Sequence, residues 1–450
     1  MKLSLYEKIV YGLGDMASNL VFMTVMNFLL FFYTDIYGLS AAAVGTLFLV
    51  VRTFDAVVDV LVGVAADRTR TRWGKFRPWL LWMAGPLAVV AIFTFTTPDW
   101  APGPKLIYAW VTYMLLMFAY SAINIPYNAL SAVMTDDLHE RTALSGVRMA
   151  CAQIGGLAVA AGTLPMIAFF GGAEADPARG YQRTMMVFAA VSLVLFLITF
   201  FGTRERVHPP ADQGSDLRAD LAMLVKNRPW VVLSIASVLL FILFSVRQGA
   251  VIYYYKYYLR QESVASLFFI VTSLAAIPGA LLAAPLSRRL GKRETFQFGA
   301  IAFTVFNGVM FLIPPGHVGL LQAANVLSSL AMFLVAPMIP SMLGDTADYA
   351  EWKFRRRSTG IVFSAASFSM KVGMGVGGAF SGALLSYFGY VPRTEQGASA
   401  VRGIVLMLTL LPAGGFLLLV PLMRLYLLDA QTSELMREEL VLRRSQSSGI

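Results

Sequence analysis

Sulfur and imidazole chemistry are almost missing from this chain. A single cysteine, Cys151, excludes an internal disulfide and a thiolate metal cluster. Three histidines, His139, His208 and His317, stand far apart on polar stretches and argue against a metal site. Charge is scarce as well: 14% of residues are Asp, Glu, Lys or Arg, against about 25% in a soluble globular chain. No H-E-x-x-H or G-x-S-x-G pattern occurs, so a membrane enzyme has no catalytic motif to stand on. No loop is long enough to fold as a signalling domain, which disfavours a sensor. The first apolar run has no A-x-A-like cleavage site at its end, where Tyr33, Thr34 and Asp35 stand, and Asp15 interrupts it. It is therefore expected to be a retained span rather than a signal peptide.

What the chain has in excess is apolar length. Of its 450 residues 57% are hydrophobic, and the mean hydropathy is +0.66. Twelve stretches are long enough to cross a bilayer, which takes about 20 residues each as helix. They are 9–33, 41–65, 79–97, 106–132, 144–170, 184–202, 231–255, 264–286, 295–313, 318–343, 361–387 and 403–424. They are too long and too uniformly apolar for barrel strands, so helices are expected throughout. With the N-terminus inside, 25 lysines and arginines fall on inner segments and 7 on outer ones. That asymmetry predicts a multi-pass protein of a cell (inner) membrane with both termini cytoplasmic. It also accounts for the net charge of +10 without nucleic acid.

The chain reads as two echoing halves. Residues 1–203 form an N-terminal six-helix half, 204–230 a polar cytoplasmic linker, 231–424 a C-terminal six-helix half and 425–450 a cytoplasmic tail. A short basic loop centred on Gly74-Lys75 follows the second span, and one centred on Gly291-Lys292 follows the eighth. Two related halves around a midplane site are the plan of major facilitator transporters. The expected fold class is thus an all-α membrane protein of twelve transmembrane helices in two pseudo-symmetric halves.

Intramembrane charge marks where chemistry sits, because each such residue costs roughly 2.5–3.5 kcal/mol to insert. The second span carries Arg52, Asp55 and Asp59, on one helical face by their spacing of three and four. Two carboxylates one turn apart can share a sodium or lithium ion, or hold a proton between them. The bland alternative is a structural ion pair with Arg52. Arg148, Arg247 and Lys371 are further cations in apolar surroundings, and each could simply neutralise an aspartate. Five tyrosines, Tyr253, Tyr254, Tyr255, Tyr257 and Tyr258, crowd the end of span seven and are expected as an interfacial aromatic belt.

Several motifs together carry a resemblance. They are Tyr11-Gly12-Leu13-Gly14-Asp15, Phe32-Tyr33-Thr34-Asp35, Asp55-x-x-x-Asp59, and Arg72-Trp73-Gly74-Lys75-Phe76-Arg77-Pro78-Trp79. Asn124-Ile125-Pro126-Tyr127, Asp345-x-x-Asp348-Tyr349-x-Glu351-Trp352-Lys353 and Lys371 complete the set. In this order and spacing the chain resembles, over nearly its whole length, the glycoside–pentoside–hexuronide:cation symporters. The resemblance implies import of a sugar with a cation by alternating access. It implies cation ligation by Asp55 and Asp59 with Ser121 from span four, although Val58 and Val60 replace an oxygen-bearing residue and a proline common in the family. It implies sugar contacts at Asn19, Asn124, Asn128, Arg148 and Lys371. Asn19 and Asn124 stand where melibiose carriers have aspartates, which turns the expectation towards another glycoside, pentoside or hexuronide.

Arg52, Arg141, Asp345, Asp348 and Glu351 are expected in a gating charge network, with Asp136 and Asp137 beside it. Sodium at Asp55 and Asp59 is the one metal considered; no cofactor is expected. The coupling ion is H⁺ or Na⁺. The partners are a small sugar, a monovalent cation and the lipid bilayer, with the monomer as functional unit. Cation-coupled transport of a non-sugar amphiphile such as a lysolipid-like molecule stays open as a second reading.

Overall fold

The computed structural model describes residues 3–135, 138–172, 176–206, 217–354, 359–429, 432–436 and 438–440. Asp136, Asp137, His208 and the arginines at 355–357 lie outside them. Among the described residues fifteen α-helices make the fold. In chain order these are α1 (Leu5–Phe31), α2 (Ala41–Arg68), α3 (Arg77–Thr94), α4 (Pro102–Met134) and α5 (Leu138–Gly171). There follow α6 (Pro177–Gly202), α7 (Leu217–Lys226), α8 (Arg228–Tyr253), α9 (Ala265–Leu290) and α10 (Lys292–Leu312). The last five are α11 (Val318–Val335), α12 (Met338–Phe354), α13 (Thr359–Tyr387), α14 (Ala398–Leu408) and α15 (Leu410–Arg424).

Eleven helical stretches of the described residues are long and apolar enough to cross a membrane. The charge-bearing α2 is not among them, yet its 28 residues span about 42 Å at 1.5 Å per residue, more than a ~30 Å hydrocarbon core. The twelve expected spans are thus accommodated, with α7 as a short helix between the sixth and seventh. The tenth and twelfth spans are each broken in two. The first break falls at Ala336 and Pro337, where proline has no N–H to give. The other falls at Thr409, just before Pro412. There Asn307 Nδ2 donates to Leu408 O at 3.1 Å and Thr409 O at 2.6 Å, satisfying carbonyls that the break exposes.

Local punctuation follows the sequence. Ser4 caps α1 in a capping box with Glu7, and the Ser40 hydroxyl caps α2. The first and seventh spans end alike, in one wide π turn, at Phe32–Ile36 and Tyr254–Tyr258. In the first, Tyr37 N–H reaches Phe32 O and Leu39 N–H reaches Tyr33 O. In the second, Leu259 N–H reaches Tyr254 O and Gln261 N–H reaches Tyr255 O. The two helices therefore repeat each other down to their backbone bonds.

The chain divides into two compact units. Unit 1 is Met1–Ala211 with Val251–Ser273 and Gly378–Gly403; unit 2 is Asp212–Ala250, Leu274–Gly377 and Ile404–Ile450. In unit 1, α1 lies backbone-close to α5: a Cβ on Gly155 would stand 2.8 Å from Met16 O. The start of α2 lies just as close to the end of α13, where a Cβ on Gly382 would meet Ala41 O at 2.3 Å. Unit 2 is cored by Phe296, Phe303, Met342 and Leu419, with Phe303 stacked on Phe416 at 3.9 Å. Its α13 approaches α8 through Gly373, whose Cβ would lie 2.6 Å from Val238 O.

Candidate cation and substrate site

Four helices of unit 1, α1, α2, α4 and α5, hold all the expected cation and sugar residues but Lys371. On α2 the Asp55 side chain is buried at 1% exposure and Arg52 at 5%; Ser121 on α4 is also at 1%. Ser121 Oγ donates to Asp55 Oδ1 at 2.5 Å, joining the two helices through polar atoms. Asp59 lies one turn further along α2 and is half-buried. The Arg52 guanidinium sits 3.4 Å from Met26 Sδ and 5.8 Å above the Phe22 ring, which itself stacks on Tyr120. Val58 is taken up by helix packing with Val62, Ala122, Trp79, Met83 and Ile125. It gives no oxygen to an ion, and Val60 is exposed.

The expected sugar contacts on α1, α4 and α5 form a second polar group. Arg148 Nη1 donates to Asn128 Oδ1 at 2.6 Å, and Arg148 Nε lies 3.4 Å from Asp15 Oδ2. Asn19 Nδ2 donates to Asp15 O at 2.9 Å. Asn124 Oδ1 accepts from Ser18 Oγ at 3.1 Å, while its Nδ2 donates to Tyr120 O at 3.2 Å. Behind these groups Tyr11 and Tyr127 stack at 4.7 Å, and each hydroxyl donates to the other residue's carbonyl, at 3.1 and 2.7 Å. Asp15 was legible in the sequence as a charge in an apolar span, but no spacing linked it to Arg148. Lys371 belongs to unit 2, on α13.

Arg247 is another cation of unit 2 and is 1% exposed. It donates to Asn325 Oδ1 at 2.8 Å, Asn307 Oδ1 at 3.3 Å and Ser328 Oγ at 3.3 Å. These bonds link α8, α10 and α11. Through Asn307 they reach the broken twelfth span.

Ion pairs gather at the basic-loop ends of the helices. In unit 1 Lys75 meets Asp67 at 2.8 Å, Lys8 meets Glu140 at 2.7 Å and Arg206 meets Glu7. In unit 2 Lys292 meets Asp345 at 2.6 Å. Asp348 and Glu351 follow Asp345 on α12, both half-buried. Arg141 closes the end of α4 by donating to Thr135 O at 2.9 Å and Ala132 O at 2.8 Å. Glu205 explains the Arg72–Pro78 motif. Its carboxylate accepts from the backbone N–H groups of Lys75, Phe76 and Arg77 at 2.8, 2.7 and 2.9 Å. Gly74 makes room for it: its φ is +110°, and a Cβ there would stand 2.4 Å from the Glu205 carboxyl carbon.

At the opposite end of α1, Asp35 gathers its donors from unit 1. Thr34 Oγ1 gives a bond of 2.9 Å and Lys256 Nζ one of 3.3 Å, and the Tyr257 and Tyr390 hydroxyls also donate. Arg393 Nε donates to Asp35 O at 3.0 Å. Tyr253, Tyr254 and Tyr255 are fully buried, which corrects the expected interfacial belt. Their hydroxyls and rings are spent on closing this end of the unit, as in the 2.6 Å contact between Tyr253 and Thr34.

Long apolar helices that carry buried charged side chains are those of a membrane-spanning protein. The solved nucleoside transporter NupG shares the fold, with a TM-score of 0.66 at 16% identity over 94% of this chain and 100% of its own. The chain belongs to the MFS/sugar transport protein family, whose model matches residues 10–430. It is similar to the inner membrane symporter YicJ of Escherichia coli, at 37% identity over 92% of this chain and 90% of that one. It is also similar to the isoprimeverose transporter of Lactiplantibacillus pentosus, at 36% identity over 91% and 86%. The chain is thus a multi-pass sugar symporter of the major facilitator kind, and not an enzyme.

Proposed function

We propose that this chain imports a sugar, a glycoside, pentoside or hexuronide, together with a proton, by alternating access, across a cell (inner) membrane with both termini cytoplasmic. Asp55, Asp59 and Ser121 serve the cation; Asn19, Asn124, Asn128, Arg148 and Lys371 serve the sugar. The observation that carries this reading is the buried 2.5 Å bond from Ser121 to Asp55. It brings a hydroxyl from α4 to a carboxylate of α2 inside a low-dielectric interior, where a charge needs a ligand or a proton. Sodium requires several oxygens around it. Val58 supplies none, whereas a proton needs a single carboxylate oxygen. Amides both donate and accept, so the three asparagines suit sugar hydroxyls. The 36% identical isoprimeverose transporter makes that sugar the first to try.

The test is uptake into proteoliposomes with labelled isoprimeverose, xylose, melibiose and glucuronate. The expected result is sugar-induced alkalinisation in sodium-free medium. Asp55→Asn and Asp59→Asn should each sharply reduce uphill accumulation yet leave sugar exchange. Sodium-stimulated uptake without alkalinisation would overturn the proton, and transport of none of the sugars would overturn the substrate class.

A further inference from the structure

A carboxylate outside the expected cation site stands within the sugar group itself. Asp15 and Arg148 face each other across α1 and α5 at 3.4 Å, and the same arginine holds Asn128 at 2.6 Å. The side chains keep 20% and 31% of their surface exposed, so neither is sealed inside the packing of unit 1. A Cβ on Gly12 would lie 2.8 Å from Cys151 Sγ, and one on Gly14 would lie 2.5 Å from the Tyr127 ring, so α1 rests closely on α5 and α4 on either side of Asp15. The groups facing Asp15 are Arg148 and Cys151 from α5, Tyr120 and Tyr127 from α4, and Tyr11 from its own helix. From α6 come the Ser192 and Thr199 hydroxyls, which bond to the α1 carbonyls of Ala17 and Val10. Arg148 is therefore the fixed charge that Asp15 answers.

We propose that Asp15 is a second proton-coupling carboxylate, which releases Arg148 to the sugar when it is protonated. The inference rests on the sugar-binding reading above. While Asp15 is ionised its carboxylate competes for the guanidinium. A proton from the outer aqueous side adds to an Asp15 carboxylate oxygen, and the ion pair loses its attraction. Arg148 N–H groups then turn to sugar hydroxyls, and no bond of the sugar is made or broken. After the sugar leaves on the inner side the proton leaves too, and the pair re-forms. Each cycle through this pair moves one sugar and one proton in the same direction. Asp15 is a positioning residue, acting on the sugar through Arg148.

The test is equilibrium binding of isoprimeverose to the purified full chain from about pH 5.5 to about pH 9, with Asp15→Asn, Asp15→Glu and an Asp55→Asn/Asp59→Asn double variant. In the unaltered chain Kd should rise about tenfold or more towards high pH, as one-proton linkage allows. Asp15→Asn should bind at every pH as the unaltered chain does at low pH. Asp15→Glu and the double variant should keep the slope. An unchanged slope in Asp15→Asn, or a flat profile in the double variant, would overturn the proposal and leave sugar symport standing. Should Asp15→Asn fail to fold, the double variant still decides. An unaltered chain that binds none of the sugars at any pH brings down both readings.

Discussion

Replacing Glu205 tests whether the basic motif after the second span is a carboxylate cradle. Glu205 takes three backbone N–H bonds of 2.7–2.9 Å at the start of α3, where the helix dipole also favours negative charge. A hydrogen bond to a charged group is worth about 1.5–3 kcal/mol, and a lost N-cap about 0.5–2 kcal/mol. Here the amides are only half-buried, and water recovers part of the loss. Glu205→Ala should therefore destabilise this segment by about 2–4 kcal/mol. Glu205→Gln keeps one acceptor oxygen and should cost roughly half as much. The assay is hydrogen exchange followed by mass spectrometry on peptides covering residues 73–80. At about 1.4 kcal/mol per tenfold, exchange at Lys75, Phe76 and Arg77 should quicken about 30- to 700-fold in Glu205→Ala. Peptides from unit 2 should be unaffected. Equal exchange in the Ala variant and the unaltered chain, or equal effects of Ala and Gln, would refute the cradle.

Other consequences are as definite. Burial, then the neighbouring Tyr253 and the Asp35 carboxylate, push the Tyr390 phenol above its ordinary value near 10. Its contribution to stability should be intact below about pH 10 and be lost as pH rises beyond, read as late tyrosinate absorbance accompanying unfolding. Tyr390→Phe should remove one charge-assisted bond to Asp35 and cost about 1.5–3 kcal/mol in a denaturation midpoint. Arg247→Leu removes the bonds to Asn307, Asn325 and Ser328 and should cost about 1–3 kcal/mol, lowering the yield of folded protein in detergent. On a Cys151→Ser background a cysteine at Gln213, which lies outside the described residues, should react with impermeant reagent in inside-out vesicles alone. Labelling in intact cells would overturn the cytoplasmic linker.

Much of this protein is written in local sequence. Helix starts follow Ser4 and Ser40, and the span breaks follow Pro337 and Pro412, because capping and a missing N–H act within a few residues. Apolar length determines that the helices cross a bilayer, since backbone polar groups in hydrocarbon must bond within their own segment. The Arg52, Asp55 and Asp59 triplet stands out for the same reason: charge in an apolar span carries an insertion cost. What local sequence does not contain is partnership between distant helices. That Ser121 reaches Asp55, that Asp15 faces Arg148, and that Asn307 serves both Arg247 and a broken span depends on which helices lie side by side. The same holds for the tyrosines at the end of α8. Their composition fits a membrane interface, but Tyr253, Tyr254 and Tyr255 are buried inside unit 1 and Tyr257 bonds Asp35. A side chain's period and polarity are its own, but its hydrogen-bond partner belongs to the fold, because contacts between helices are fixed by packing of whole surfaces rather than by any one residue's neighbours in the chain.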